Sequence, residues 1–170
     1  DRYNVAVKSF YYMKGMQDNG VMASAKHFPG HGDTGTDSHY DLPLISHDLA
    51  RLDSIELFPF KILIRQGVAS VMIAHLNVPA LEDTPNLPSS LSPKIVTDLL
   101  RNQLNFKGLI LTDGLEMHAV TKNFPRGEVE ARALAAGVDV LLLPVDLEAS
   151  FRTVKQWMAD GRISPASIEA

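Results

Sequence analysis

The sequence contains no cysteine among its 170 residues. Disulfide bonds, thiolate nucleophiles and cysteine-ligated zinc or iron–sulfur centres are therefore excluded. Many exported proteins also lack cysteine, so this absence does not assign a compartment.

Long apolar runs and clusters of positive charge are also missing. No apolar segment approaches the roughly 18–20 residues that a membrane-spanning helix needs. No run of five basic residues occurs, and the net charge is −4 with a pI near 5.8. We therefore expect no membrane span and no nucleic-acid partner. The 45% of hydrophobic and 21% of charged residues are typical of a globular protein with a real core.

The chain begins at Asp1 without an initiator methionine or a signal-peptide pattern. Its length suits one domain or part of a larger one. These features favour an excised piece of a longer protein, so that any targeting segment would lie outside it.

Four short apolar runs punctuate the sequence, and each is nearly continuous in its apolar character. This pattern is typical of strands buried on both faces of a parallel sheet. The predicted strands are Val21–Ala25, Ser70–Ala74, Gly108–Thr112 and Val138–Leu143.

Helical patterns alternate with these runs. Apolar residues recur at helical spacing, Ser92 and Pro93 suit the start of one helix, and Pro59 suits the opening of a second helix within another. The predicted helical segments are residues 3–16, 49–67, 92–104, 128–136 and 147–159. The alternation predicts an α/β fold. A doubly wound sheet and part of a (β/α)₈ barrel both fit this order.

Polar side chains stand where the predicted strands end. Lys26 and His27 follow the first strand, His75 follows the second and Asp113 follows the third. Because the carboxyl ends of consecutive parallel strands converge, we expect these residues to line one functional cleft.

The segment "KHFPGHGDTGTDSH", residues 26–39, holds three histidines and two aspartates. Imidazole and carboxylate are good metal ligands, so a metal site is one interpretation. Asp37 and His39 suggest another, because a carboxylate two residues away can orient an imidazole for proton transfer. A polar loop with only a structural role is the third.

The remaining candidates also have alternative interpretations. A carboxylate at a strand end, as at Asp113, can be a nucleophile, a metal ligand or the N-cap of the next helix. Lys26 can bind substrate or pair with a core acid. His75 can face the cleft or be a hydrogen-bonded core histidine.

Three motifs together resemble glycoside hydrolase family 3, in particular its bacterial β-N-acetylglucosaminidases. They are "KHFPGHGDTGTDSH", "LILTDGLEM" and "EARALAAGVDVLLLP", in this order. The resemblance covers almost the whole chain. It departs from the family at Gly114, where many members have an acidic residue or serine.

The resemblance implies a (β/α)₈ TIM-type barrel of roughly twice this length. Residues 1–170 would be the C-terminal portion of that barrel domain, with about four βα units and with the N-terminal strands missing. An isolated half-barrel would expose strand edges and apolar surface, which favours self-association.

The resemblance also implies a retaining glycosidase that needs no cofactor and no metal ion. Asp113 would be the nucleophile, and His39, oriented by Asp37, would be the general acid/base. Lys26 and His27 would hold the sugar hydroxyls. The substrate would be a terminal β-linked N-acetylglucosamine, with peptidoglycan fragments as its source.

His75 joins Lys26 and His27 as a candidate for substrate binding. A phosphorylase that uses phosphate in place of water is an alternative within the same family. A metal-dependent hydrolase and a non-catalytic sugar-binding module are alternatives from other classes.

Overall fold

The computed structural model describes residues 1–34, 42–165 and 168. Four parallel strands form one sheet in the order in which they occur along the chain. The strands are β1 (Ser24–Phe28), β2 (Ser70–Ile73), β3 (Leu109–Gly114) and β4 (Val140–Leu142). This order has no reversal, whereas a doubly wound sheet reverses its strand order at a switch point. The topology therefore favours the barrel-type alternative.

Helices connect the strands and flank the sheet. The α-helices are α1 (Arg2–Gln17), α2 (Leu49–Arg51), α3 (Leu57–Arg65), α4 (His118–Thr121), α5 (Glu128–Ala136) and α6 (Leu147–Ala159). Leu52–Glu56 and Lys94–Gln103 are π-helical, and Ser89–Leu91 is a short 3₁₀-helix. In the part of the chain that the structure describes, no helix has both the length and the apolar character needed to span a bilayer.

The predicted helix ends are confirmed where a side chain caps the backbone. The Asp146 carboxylate accepts a hydrogen bond from the Ala149 N–H at the start of α6, and the Ser92 hydroxyl accepts one from the Ile95 N–H. Pro59 lies in the first turn of α3, so a second α-helical segment does begin near it. The π-helical turn joins that segment to α2 without a break.

The first strand lies three residues later than its apolar run predicts. The Val21 N–H bonds to the Met16 carbonyl in the turn that ends α1, and its side chain is 52% exposed. Ala25 and Phe28 are the buried residues of β1 instead. Lys26 and His27 therefore lie within β1, and Asp113 lies within β3, so the predictions that they follow the first and third strands are wrong.

The sheet centre forms the core and leaves the carboxyl ends of the strands for chemistry. Val71, Ile73 and Ile110 in β2 and β3 have no exposed surface. The apolar face of the Lys94–Gln103 helix belongs to the same cluster, since its residues Ile95 and Leu100 are also fully buried. Burial of this kind stabilises by about 25 cal/mol per Å² of apolar surface. This packed core fixes the positions of the strands, and it therefore sets the distances between the side chains at the strand ends.

Candidate active site

The sheet brings residues of β1 and β3 together across the end of β2. The His27 Nε2 atom lies 3.7 Å from the Asp113 Oδ2 atom, and the two side chains are 29% and 20% exposed. Half-burial limits competition from water, and the remaining exposure leaves both groups accessible to a ligand.

Asp113 is held by its own backbone. Its Oδ1 atom accepts a hydrogen bond of 2.9 Å from the Gly114 N–H, and Oδ2 faces His27. α4 begins only at His118, where Met117 is the N-cap residue. The N-cap alternative for Asp113 is therefore ruled out, and the carboxylate is available for another role.

Burial lowers the pKa of the His27 imidazole below its usual value. The nearby Lys26 and His31 lower that pKa further, while the negative charge of Asp113 opposes the shift. The ring of His31 lies 6.0 Å from the ring of His27, between centroids. His27 is therefore neutral at pH 7, and a neutral imidazole can both donate and accept hydrogen bonds.

A cleft of about 1090 Å³ opens beside β1. Lys26, His27 and His31 line it together with Glu56, while the wall opposite includes residues of α1. Lys26 is exposed in β1, so its ammonium group is accessible from this side. The volume is sufficient for a sugar ring, but Asp113 is not among the residues that line this cleft.

The predicted acid/base pair, Asp37 and His39, lies outside the described residues. On the near side of the same loop, the His31 Nδ1 and Thr34 Oγ1 atoms are 3.1 Å apart. Asp33 contacts His47, with 2.8 Å between the Oδ2 and Nε2 atoms. His31 and Asp33 thus both make side-chain contacts with residues of this loop.

His75 has no exposed surface. Its Nδ1 atom is 2.6 Å from the Ser90 hydroxyl oxygen, and its Nε2 atom is 3.0 Å from the Gly114 carbonyl oxygen. Burial lowers the pKa of His75, and the opposing effects of the Gly114 carbonyl and the Asp113 charge do not cancel that shift. This is the hydrogen-bonded core histidine of the two predicted alternatives. His75 was also a candidate for direct substrate binding, but its side chain has no exposed surface that a sugar could contact.

The residues that hold His75 escape prediction from the sequence. Ser89 donates its hydroxyl to the Ala74 carbonyl, at 2.7 Å, and accepts a hydrogen bond from the Leu76 N–H, at 3.1 Å. Ser90 meets His75 fifteen residues away in the chain. In the sequence, "PSSLSP" has the composition of an ordinary turn-rich loop, and no spacing rule links it to the preceding strand.

Candidate metal ligands form no cluster in the described part of the chain. No group of three histidine, aspartate or glutamate side chains is arranged to hold an ion among residues 1–34, 42–165 and 168. Taken together, the fold and the site define an α/β protein with a carboxylate, an imidazole and an ammonium group at the carboxyl ends of parallel strands.

Comparison with known proteins identifies the family. The model of the glycosyl hydrolase family 3 N-terminal domain matches residues 1–170. The chain belongs to this family.

Individual relatives agree with this assignment. The chain is 33% identical over 159 residues to beta-hexosaminidase A of Pseudoalteromonas piscicida, which covers 86% of the chain and 27% of that protein. It is 30% identical over 177 residues to a beta-N-acetylglucosaminidase/beta-glucosidase of Cellulomonas fimi, covering 99% and 31%. A solved family 3 beta-N-acetylglucosaminidase from Paenibacillus sp. str. FPU-7 superimposes with a TM-score of 0.91 at 42% identity, over 96% of this chain and 32% of that one.

The chain thus spans about a third or less of each of these three proteins. The predicted fold class is confirmed: the chain is an α/β protein whose four parallel strands match part of the TIM-barrel-like domain of the family.

Proposed function

We propose that this chain supplies the nucleophile and the sugar-binding residues of a retaining β-N-acetylglucosaminidase. The observation that carries the proposal is the geometry of Asp113. One carboxylate oxygen is fixed by the Gly114 N–H, and the other lies 3.7 Å from His27 in a half-buried site. A fixed, partly desolvated carboxylate at a strand end suits attack on an anomeric carbon.

The reaction has two displacements. Asp113 attacks the anomeric carbon while the glycosidic C–O bond breaks, and His39 gives its proton to the leaving oxygen. His39 then takes a proton from water, the water oxygen attacks the anomeric carbon, and the Asp113 carboxylate leaves. Two inversions give overall retention, and Asp37 orients His39 throughout.

Lys26 and His27 hold the sugar in this scheme. Both belong to β1 and face the cleft, so the strand sets their positions relative to Asp113. The ammonium group of Lys26 donates hydrogen bonds to sugar hydroxyls. The neutral imidazole of His27 can donate to or accept from them. Such contacts place the anomeric carbon within reach of the carboxylate.

The substrate is a terminal β-linked N-acetylglucosamine, with peptidoglycan fragments as its source. The names of the relatives from Pseudoalteromonas, Cellulomonas and Paenibacillus support this sugar class. The name of the Cellulomonas enzyme also includes β-glucosidase activity, so a glucoside belongs in the assay.

Replacement of the proposed nucleophile tests the assignment. Asp113→Asn in the complete natural protein should lower kcat on an aryl β-N-acetylglucosaminide by about 10³-fold or more, because the amide cannot form the glycosyl-enzyme. Asp18→Asn, which changes an exposed carboxylate paired with Lys14, is the matched control and should leave kcat unchanged. A normal rate in Asp113→Asn would refute the assignment.

The same assay separates the other candidate functions. We expect turnover without added phosphate and in the presence of a chelator, with free N-acetylglucosamine as the product. Formation of the sugar 1-phosphate that requires phosphate would indicate a phosphorylase instead. Loss of activity with chelator would indicate a metal-dependent hydrolase. Binding of N-acetylglucosamine without any turnover would indicate a sugar-binding module.

A further inference from the structure

We propose that His75 is a positioning residue for Asp113, acting through the peptide unit between Gly114 and Leu115. The inference rests on the proposed role of Asp113 as the nucleophile. His75 itself does not touch the sugar, because its side chain has no exposed surface.

The hydrogen-bond partners of His75 fix its tautomer. The Gly114 carbonyl can only accept a hydrogen bond, so the Nε2 atom, 3.0 Å away, must carry the proton. In a neutral ring the Nδ1 atom is then an acceptor, and the Ser90 hydroxyl, 2.6 Å away, donates to it. The imidazole is therefore locked in one orientation and one protonation state.

The peptide unit that follows Gly114 is held from both sides. Its carbonyl accepts the Nε2–H of His75, which comes from the end of β2. Its N–H, on Leu115, donates to the Leu142 carbonyl of β4 at 2.9 Å. Rotation of this unit would break a hydrogen bond to each neighbouring strand.

This restraint reaches the carboxylate through the Cα atom of Gly114, which joins the held peptide unit to the unit that carries the Gly114 N–H. The Gly114 N–H donates to the Oδ1 atom of Asp113, so the orientation of the Gly114 backbone decides where that oxygen lies. Glycine has the widest backbone freedom of any residue, and a glycine beside a nucleophile needs an external restraint. His75 and Leu142 provide one.

His75 is itself fixed on either side in the chain. Ser89 bonds to the Ala74 carbonyl and to the Leu76 N–H, the two residues that flank His75. Ser89 and Ser90 are both fully buried. Buried hydrogen bonds thus run from the loop after β2 to the Gly114 carbonyl, and a partly buried hydrogen bond joins the Gly114 N–H to the Asp113 carboxylate.

A role in positioning differs measurably from a role in packing. Displacement of the carboxylate by a fraction of an ångström impairs attack on the anomeric carbon and leaves sugar binding by Lys26 and His27 in place. Loss of His75 should therefore lower kcat more than it raises KM. A packing role alone would lower thermal stability and would not favour kcat over KM.

Three variants of the complete natural protein test this. His75→Leu removes both hydrogen bonds, His75→Gln keeps a donor for the Gly114 carbonyl, and Ser90→Ala removes only the bond to Nδ1. We expect His75→Leu to lower kcat by about 10- to 100-fold with KM changed by less than about threefold. His75→Gln should recover most of kcat, and Ser90→Ala should lower it by about three- to tenfold.

Covalent trapping with a 5-fluoro N-acetylglucosaminyl fluoride separates this inference from the proposed function. Mass spectrometry should find the label on Asp113 in the natural protein, and a label on another residue would refute the proposed function. The role of His75 is refuted separately if His75→Leu is labelled within twofold of the natural rate. If His75→Leu does not fold, a natural kcat in Ser90→Ala refutes it.

Nuclear magnetic resonance of ¹⁵N-labelled imidazole gives a readout independent of activity. The His75 ring should show a protonated Nε2 and an unprotonated Nδ1 at pH 7. The opposite tautomer, or a charged ring, would contradict the inference.

Discussion

Two loops approach the same site from neighbouring strands, and they are held in different ways. In the loop after β1, residues 29–48, the described ends are held by partly exposed groups such as the Asp33–His47 pair, with side chains 63% and 27% exposed. In the loop after β2, residues 74–93, Ser89, Ser90 and Ser92 have no exposed surface.

The difference follows from how water competes with each contact. An exposed ion pair is screened by solvent and contributes about 0–1 kcal/mol. A buried hydrogen-bonding group that loses its partner costs about 1–3 kcal/mol, because it has no water to replace that partner. The loop after β2 is therefore built to hold its neighbours still, and it reaches Asp113 through His75. The loop after β1 contains the proposed acid/base residues and needs no such rigidity at its exposed ends.

The largest effect on stability is expected at Glu82, in the loop after β2. Its carboxylate is 4% exposed, accepts a hydrogen bond of 2.5 Å from the Ser92 hydroxyl and accepts another from the Thr84 N–H. Glu82→Ala leaves both donors without an acceptor and should lower the free energy of unfolding by about 3 kcal/mol, measured by urea denaturation. Asp83→Ala, at the exposed neighbour that pairs with Lys94, is the control and should unfold at the natural urea concentration. Equal effects of the two substitutions would contradict the distinction between the loops.

Gly30 is the position in the loop after β1 where a side chain should matter most. Its φ is +141°, and an added Cβ would lie 2.7 Å from the Glu56 Cβ. Gly30→Ala combines backbone strain with this clash and should lower the free energy of unfolding by about 2 kcal/mol. Gly32→Ala is the matched control, because nothing lies within 4 Å of its added Cβ. A thermal melt that ranks the two variants in the opposite order would contradict the assignment.

Acid should weaken the buried loop in two pH ranges. Burial lowers the pKa of His75 below 6.5, so on acidification the unfolded chain takes up a proton at this ring before the folded chain does. The contribution of neutral His75 to the free energy of unfolding therefore declines as the pH falls below about 6.5. Burial would raise the pKa of Glu82, but hydrogen bonds from Ser92 and Thr84 outweigh it and leave that pKa below 4.5. The contribution of ionised Glu82 to the free energy of unfolding is therefore complete above pH 4.5 and is lost as the pH falls below that value.

Urea denaturation at a series of pH values checks this separation. His75→Gln should flatten the decline that begins near pH 6.5, and the part that remains is assigned to His27, whose pKa burial also lowers. Glu82→Gln should flatten the decline in the free energy of unfolding below pH 4.5, because glutamine does not titrate. An unchanged pH profile in His75→Gln would contradict the neutral, buried state of this ring.

The smallest effect is expected at Asp33. Its carboxylate contacts His47 at 2.8 Å and Arg51 at 3.7 Å, but it is 63% exposed. Asp33→Asn should change the free energy of unfolding by no more than about 0.5 kcal/mol. That small effect should shrink further in 1 M salt, where the screening length is about 3 Å. A loss as large as that of Glu82→Ala would show that the exposed loop ends are as firmly held as the buried loop.

Sequence patterns predicted most of the helices and strands because apolar residues recur in them at the spacing of a helix or a strand. β2, β3 and β4 lie within one or two residues of their apolar runs, and the caps Ser92 and Asp146 mark helix starts. β1 was misplaced because its carboxyl end bears Lys26 and His27, which a search for apolar runs passes over. The apolar periodicity of Lys94–Gln103 predicts a helix and does not distinguish π-helical from α-helical hydrogen bonding.

Sequence patterns predicted only part of the candidate site. Asp113 and His27 lie in neighbouring parts of the parallel sheet, so their approach followed from the predicted strands. The partnership of His75 with Ser90 and with the Gly114 carbonyl depends on how the loop after β2 folds back over its own strand. That path is set by buried hydrogen bonds among residues far apart in sequence.

The peptide unit held between His75 and Leu142 has a practical consequence for laboratory evolution. A mutant library aimed at a new sugar preference would ordinarily randomise the residues that line the cleft, such as Lys26 and His27. It would omit Ser90, which is fully buried and bonds to His75, the residue that holds the backbone next to the reacting carboxylate. A second library at this buried position samples small displacements of the carboxylate and leaves the lining of the cleft unchanged.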